Sequence, residues 1–324
     1  MKSICHRYPS ALATLALLCC ATAAAQTPNA REDTSLRVAS GPAGKVYELM
    51  ARDMQGVCGS TVLLQSVSSS GGLQNLSLLS ANEADLGIVQ LDVLRDMRSG
   101  DENMLALQAV MPLHNNLLHV ISLADGSLVD ATLVRGVRIP LTGQTVVLRK
   151  FSELRGMTVA VVGSAQLTGQ ALEKQLAYKM RFVVADSDDQ ALALLRSGQV
   201  QAIFTLGGWP LPAVARHRVG SGLALVDYDL PPLAPYLAVK RNYQELDAFN
   251  LSFLAVPNLL VARQFRAGGA MAARVATLQT CLRQQLDRLQ EGRYQPGWKE
   301  VKDATLTFGI TPVPSALASV AAQR

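Results

Sequence analysis

The stretch from Val62 to Val93, VLLQSVSSSGGLQNLSLLSANEADLGIVQLDV, admits few folds. A short apolar strand, Val62 to Val67, runs into the polar turn Ser68-Ser69-Ser70-Gly71-Gly72. Leu73, Leu76 and Leu79, with Leu78 beside them, then recur at helical spacing. Asn82-Glu83-Ala84-Asp85 leads into a second apolar strand, Leu86 to Val89, which ends at Gln90. This is a β-α-β unit. Its first turn presents backbone N–H groups and hydroxyls at the positive end of a helix, which suits a carboxylate or a phosphate. An ordinary serine-capped helix would read the same way.

The N-terminus carries Lys2 and Arg7, then an uncharged run whose apolar part, Ala11 to Ala25, is short for a membrane span and closes on Ala23-Ala24-Ala25. This is the pattern of a secretory signal peptide over 1–25, set aside from fold reasoning. Cys19 and Cys20 raise a lipoprotein site. Leu17 and Leu18 stand where such a site wants small residues, so a soluble exported (periplasmic) protein is expected. The remaining chain suffices for two domains. The formal charge of +5 is mild, and no dense Lys/Arg block with interleaved aromatics points to nucleic acid. Beyond the leader, two cysteines remain, Cys58 and Cys281. In an oxidising compartment a lone pair usually bonds. Closing so long a loop would stabilise by roughly 4–5 kcal/mol in the chain-entropy picture. Two buried free thiols are the alternative.

Other segments repeat the outline. Leu36 to Ala39 reads as a strand and Ser40 to Lys45 as a turn. Val46, Leu49, Met50 and Met54 then mark a helical stripe, and Asp92 to Arg98 a further helix. Leu105 to Met111 and Leu117 to Leu123 read as two strands broken by Pro112, His114 and Asn115. Asp125 to Ile139 reads as a loop. A second series follows: Thr158 to Val162, the Gly163 turn, a helix from Thr168 to Tyr178 with Leu172, Leu176 and Ala177 inward, and Phe182 to Ala185. Asp186 to Asp189 caps the next helix, and Gln201 to Thr205 ends in Gly207-Gly208-Trp209-Pro210. Leu223 to Val226 adds a strand. Leu251 to Ala262 suits a return to the first lobe, Ala270 to Leu289 is a helix, and the tail with Trp298 reads as loosely held. Two α/β lobes with mostly parallel sheets flanked by helices are expected. Lobe 1 takes 26–124 plus 246–324, and lobe 2 takes 125–245.

Chemistry-bearing motifs are not met. Gly41 to Lys45 lacks the first glycine and the Ser/Thr of a phosphate loop. No G-x-S-x-G elbow, H-E-x-x-H or C-x-x-C occurs. His114 and His119 are spaced poorly for a shared metal, and both read as structural. Asp186, Asp188 and Asp189 fit a helix N-terminus better than a metal site. What remains is a set of strand-end turns, and in open α/β sheets ligands bind beyond the carboxyl ends of the strands.

Ser69-Ser70-Gly71-Gly72 with Asn75, Leu76 and Leu79, followed by Glu83-Ala84-Asp85-Leu86-Gly87-Ile88-Val89-Gln90 and Asp92, resembles the TAXI-type periplasmic solute-binding proteins of TRAP transporters. Ser152 to Gly156, Val161 to Ser164, Leu194 to Gly198 with Gln201-Ala202, and Gly207 to Pro210 extend the resemblance over most of the chain beyond the leader. The first turn departs from the family's Gly-rich pattern, with Lys45 in a normally neutral stretch, and Gln166 and Thr168 stand where more Gly and Ser are usual. The resemblance implies a two-lobed type II "Venus flytrap". It would capture an organic acid or amino acid, deliver it to membrane permease subunits, use no cofactor and do no chemistry. The same fold serving an ABC transporter or a sensor kinase is the alternative, and an exported α/β enzyme would need a nucleophile-base pair or metal set that the sequence does not offer. In the receptor reading Ser40, Gly41, Lys45 and Tyr47 form one wall, and Ser69, Ser70 and Gly71 offer N–H and hydroxyl donors beside Gln90. Ser164, Gln166, Thr168, Gly207, Gly208 and Trp209 close from the second lobe. Lys45 pairs with a ligand carboxylate. Glu83 and Asp85 read as surface turn residues.

Overall fold

The computed structural model describes residues 35–129, 133–134, 137–138, 143–231 and 233–314, with only the backbone at 133–134 and 137–138. The signal-peptide reading lies outside the described residues.

The chain begins with β1 (Leu36–Gly41), α1 (Val46–Cys58), β2 (Leu64–Ser68), α2 (Gly72–Ser80) and β3 (Leu86–Gln90). β1 pairs in parallel with β2 on one side (Leu36 opposite Leu64) and with β3 on the other (Val38 opposite Leu86). Met50, Met54 and Val57 bury one face of α1 against this sheet. On α2 the buried face is Gly72, Asn75, Leu76 and Leu79, whereas Leu73 points to solvent. Periodicity alone put Leu73 inside. The true stripe is shifted because Asn75 is buried, its Nδ2 donating to the Ile88 carbonyl at 2.7 Å.

α3 (Leu91–Arg98) starts directly from β3, and α4 (Glu102–Leu105) follows, capped by Asp101. β4 (Gln108–Leu123) is one strand of 16 residues, not the two that Pro112 and His114 suggested. Its antiparallel partner, after the short strands β5 (Ser127–Val129), β6 (Leu133–Val134), β7 (Val137–Arg138) and β8 (Gln144–Val146), comes much later in the chain. The ladder between the two shifts register around Pro112 and Pro257, so the missing proline N–H groups fall where the pairing is already irregular.

The second lobe is built on β9 (Thr158–Val162), with α5 (Ala165–Leu176), β10 (Arg181–Ala185), α6 (Asp188–Arg196) and β11 (Ala202–Gly207). β9 lies between β10 and β11, all parallel. α5 ends one residue before Ala177, which is exposed and left-handed, so Ala177 is a helix stop rather than a core residue. Ser187 caps α6, accepting from the Gln190 N–H at 3.2 Å. α7 (Pro212–Ala215), β12 (Leu223–Leu225) and the hairpin β13 (Leu237–Tyr243) with β14 (Ala248–Ala262) complete it.

β14 pairs with β13 through its first half and with β3 through Asn258–Ala262. β4 pairs with β14 through its first half, and with β11 and β12 through its second. β1–β3 are parallel to one another, as are β9–β11, and two long antiparallel strands thread both lobes into one sheet of order β10-β9-β11-β4-β14-β3-β1-β2, with β12 branching onto β4 and β13 onto β14. Among the described residues the apolar core divides accordingly. Two clusters flank the β1–β3 side, around Met50 and Leu76, and two flank the β9–β11 side, around Phe151 and Leu195. The fold is thus two α/β lobes, and neither long strand belongs to one of them alone.

α8 (Ala270–Gln284) and the single turn α9 (Leu286–Leu289) return to the first lobe, with a break at Gln285 where one helix was expected. Cys281 of α8 is bonded to Cys58 at the end of α1, a separation of 223 residues. A loop of that size contributes about 5 kcal/mol in the chain-entropy picture. The described part of the tail, up to Pro314, is not loose, and the rest of that expectation lies outside the described residues. Trp298 is fully buried in the first lobe's core, and its Nε1 donates to Asp53 at 3.0 Å. Burying a side chain of this size is worth about 2–3 kcal/mol, which fixes the segment over the sheet crossing.

Candidate functional site

A cleft of about 1,700 Å³ opens where the long strands pass from one lobe to the other. Its floor is His114, Asn115 and Asn116 of β4 with Gln90 at the end of β3. One wall is the start of α1 and the turn into α2. The other is the start of α5, the segment after β11, and the β13 face. The segment after α9 adds Gly297, Lys299, Glu300 and Lys302 at the edge.

The floor is a polar network in an apolar surrounding. The Tyr47 hydroxyl donates to Asn258 Oδ1 at 2.5 Å, and Asn258 Nδ2 donates to the His114 carbonyl at 2.9 Å. That fixes Asn258 as an acceptor toward Tyr47 and toward Asn116 Nδ2. Asn116 Oδ1 is therefore left to accept from His114 Nε2 at 3.2 Å. The imidazole is neutral, since burial pushes it down to about 4. With the proton on Nε2, its Nδ1 is an acceptor that has no partner. Gln90 Nε2, an amide donor, is buried without a partner as well. Burial also pushes the Tyr47 hydroxyl far above its usual range, so it stays protonated. Gly297 sits over His114, where a Cβ would lie 2.7 Å from the His114 Cβ and 2.6 Å from Gln295 Oε1. The floor is closed there by backbone.

Of the residues expected from sequence, Lys45, Tyr47, Ser70, Gly71, Gln90, Ser164, Gln166, Gly207, Gly208 and Trp209 line the cleft. Ser40, Gly41, Ser69 and Thr168 do not. β1 runs through Gly41, so Ser40 is buried inside the sheet and bonded to Ser66 Oγ at 2.8 Å. Gly41 has φ +111°, a conformation that side-chain-bearing residues rarely adopt, so its role is in the backbone turn at the strand end; a Cβ there would be in ordinary contact with the Tyr47 Cβ at 3.4 Å. The Ser69 hydroxyl donates to Asn75 Oδ1 and accepts from the Gly71 N–H. The Thr168 hydroxyl donates to Asp92 Oδ2 at 2.6 Å.

The serine-glycine turn also offers fewer donors than its sequence suggested. The N–H groups of Ser69, Ser70 and Gly71 are spent on the Gly41 carbonyl, Gln74 Oε1 and Ser69 Oγ. A turn that must hold itself shut uses the same groups that would hold an anion. Lys45 is exposed at the rim. Trp209 is 41% exposed, with Arg241 over its ring at 5.6 Å and Nε1 bonded to the Asn242 carbonyl.

Sequence reasoning missed His114, Asn115, Asn116, Arg241, Lys299, Glu300 and Lys302. The signal for the first three was a polar triplet inside an apolar run, read as a strand break. Lys299, Glu300 and Lys302 stood in a tail read as loose, and Arg241 lies on a strand that was not recognised.

The lobes also meet beside the cleft. Asp92, at the start of α3, accepts from Thr168 of α5, from the Tyr236 hydroxyl at 3.4 Å and from the Val93 N–H at 2.8 Å. Burial raises its carboxyl. Lys174 and Asp96 make an exposed ion pair between the same two helices at 2.6 Å. Asp85 is not a surface residue. It is 2% exposed and bonded to Arg37 and Arg263 at 3.0 and 2.9 Å, whereas its neighbour Glu83 is exposed. Among the described residues no cluster of three or more metal-ligating side chains occurs, and no helix is long and apolar enough to cross a membrane.

No protein-family model and no curated protein matches the chain. Solved structures share its outline at low identity. The L-arginine-bound structure of Tv2483 is 14% identical with a TM-score of 0.48, covering 86% of this chain and 94% of that one. The amino acid ABC transporter substrate-binding protein AbpA of Streptococcus pneumoniae, bound to L-arginine, is 13% identical with a TM-score of 0.47, covering 83% and 97%. The BvgS VFT2 domain of Bordetella pertussis is 16% identical with a TM-score of 0.44, covering 78% and 88%. The two-lobed α/β arrangement described above rests on this chain's own strand topology.

Proposed function

We propose that the protein is an exported solute receptor that holds a small organic ligand between its lobes. The observation that carries this reading is the floor of the cleft: Gln90 Nε2 and His114 Nδ1 belong to lining residues and are buried without a partner among the described residues. Buried polar atoms are ordinarily paired, and leaving them unpaired costs about 1–3 kcal/mol each. A ligand that supplies an acceptor to one and a donor to the other removes that cost. Turns from both lobes supply the walls, so a ligand touching both favours the shut arrangement by its differential contacts.

The sequence resemblance favours delivery to a TRAP-type permease. The same fold serving an ABC transporter or a sensor kinase is the alternative. The test of the shared reading is native mass spectrometry of the protein from its own export compartment. A co-purified solute, released on denaturation and unchanged by the protein, is expected. Steady turnover of that solute would replace the receptor reading with an enzymatic one. Titration of the released solute onto Lys45→Ala decides whether the rim lysine takes part, and unchanged affinity removes it from the site.

A further inference from the structure

The geometry points to the class of ligand: an amphipathic carboxylate without a charged amine, its anionic head carried on an apolar body. This rests on the receptor reading and narrows it. The first observation is charge. Among the described lining residues Lys45, Arg241, Lys299 and Lys302 are cationic and Glu300 is the one carboxylate. Glu300 is already engaged: its Oε2 accepts from the Asn115 N–H at 2.8 Å and Nδ2 at 3.1 Å, and its Oε1 lies 3.6 Å from Arg241. Asp92 is outside the lining, with its oxygens taken by Thr168, Tyr236 and the Val93 N–H. An α-ammonium entering the cleft meets no free carboxylate and an excess of positive charge, and burying it unpaired is costly. A carboxylate meets cations on both walls and at the edge.

The second observation is apolar. Leu73 on one wall, and Trp209 and Leu237 on the other, line the cleft and are 48%, 41% and 42% exposed. Large exposed apolar side chains lining one groove offer a surface that a ligand can cover. The cleft, at about 1,700 Å³, exceeds the roughly 300–1,000 Å³ usual for small-molecule sites. A short polar acid would leave these three side chains wet. An acid with an aryl or alkyl body covers them while its head reaches the cations.

Titration calorimetry on the whole protein tests this with acids that differ only in the amine: 3-phenylpropanoate against phenylalanine, and octanoate against 2-aminooctanoate, with propanoate and glutamate as short controls. The amine-free acid of each pair is expected to bind at least about tenfold more tightly than its partner, the factor set by one unpaired buried polar group. Octanoate is expected to bind at least about tenfold more tightly than propanoate. The double variant Lys299→Ala/Lys302→Ala, at two exposed positions, is expected to weaken octanoate several-fold at low salt and less at high salt. Tighter binding of phenylalanine or glutamate overturns the proposal and leaves the receptor reading standing. Binding of none of these acids also overturns it. The receptor reading then falls only if native mass spectrometry shows no co-purified solute.

Discussion

Asp85 and Asp92 flank the same strand and are buried almost equally, at 2% and 4% exposed, yet they are held in opposite ways. Asp85, before β3, has two arginines and the Arg37 N–H, and these bonds keep its carboxyl below the usual range against the opposing effect of burial. Asp92, after β3, has no cation bonded to it among the described residues. It rests on hydroxyls of the other lobe, and burial keeps its carboxyl above the usual range. The entry end of the strand is fastened within one lobe by charge. The exit end, beside the cleft, is joined to the other lobe by hydroxyl donors and not by arginines. In the proposed receptor the lobes part around a solute, and this division keeps the arginine pairs within one lobe and leaves hydroxyl bonds between the two.

The largest expected effect separates the two ends. Asp85→Ala takes the carboxylate from two partly buried arginines and should lower stability by about 3 kcal/mol, at the low end for breaking a buried pair. Asp92→Asn removes a charge that burial disfavours and should leave stability within about 1 kcal/mol or raise it. Urea melts of both variants check this, and equal losses would erase the distinction.

The pH dependence sharpens it. For Asp85 the folded state holds the carboxyl below the unfolded value. Its stabilisation is full above the ordinary carboxylate range near pH 4 and is lost as pH falls through the lower folded value. For Asp92 the sign reverses, and its contribution is greatest below that range and shrinks as pH rises through the folded value. Asp85→Asn should flatten the acid side of the stability curve, and Asp92→Asn should raise the curve above about pH 4.

Smaller effects bear on the joint itself. Thr168→Val removes a hydrogen bond to a charged group and should cost about 1.5–3 kcal/mol of lobe contact. X-ray scattering should then show a larger radius of gyration, and an unchanged profile would mean that this bond does not hold the lobes. Lys174→Ala should change stability by less than about 0.5 kcal/mol, because the Lys174–Asp96 pair is exposed.

How much of this was legible follows the same division. The β-α-β unit, the paired cysteines and the strand-end turns could be read because each depends on local pattern or on composition. The Asp85 pairing could not, because Arg37 and Arg263 come from distant parts of the chain. β4 was misread because a proline and polar residues break an isolated strand. Here they fall where the ladder shifts register and where the strand forms the cleft floor. The tail was misread because a lone tryptophan among polar residues carries no periodicity, and only the Asp53 contact and the first lobe's core explain Trp298. Ser69 in its turn and Thr168 in the first turn of α5 were the right residue types, yet their hydroxyls serve the fold. Sequence cannot distinguish a donor waiting for a ligand from one already spent.

In the proposed receptor a solute is held between the lobes over Gln90 and His114. A crystal structure of the protein with its co-purified solute tests this most directly. Ligand density is expected in contact with Gln90 on the floor and with side chains of both walls, including Trp209. Density confined to one lobe, or lying away from the cleft with Gln90 Nε2 still unpartnered, would contradict it.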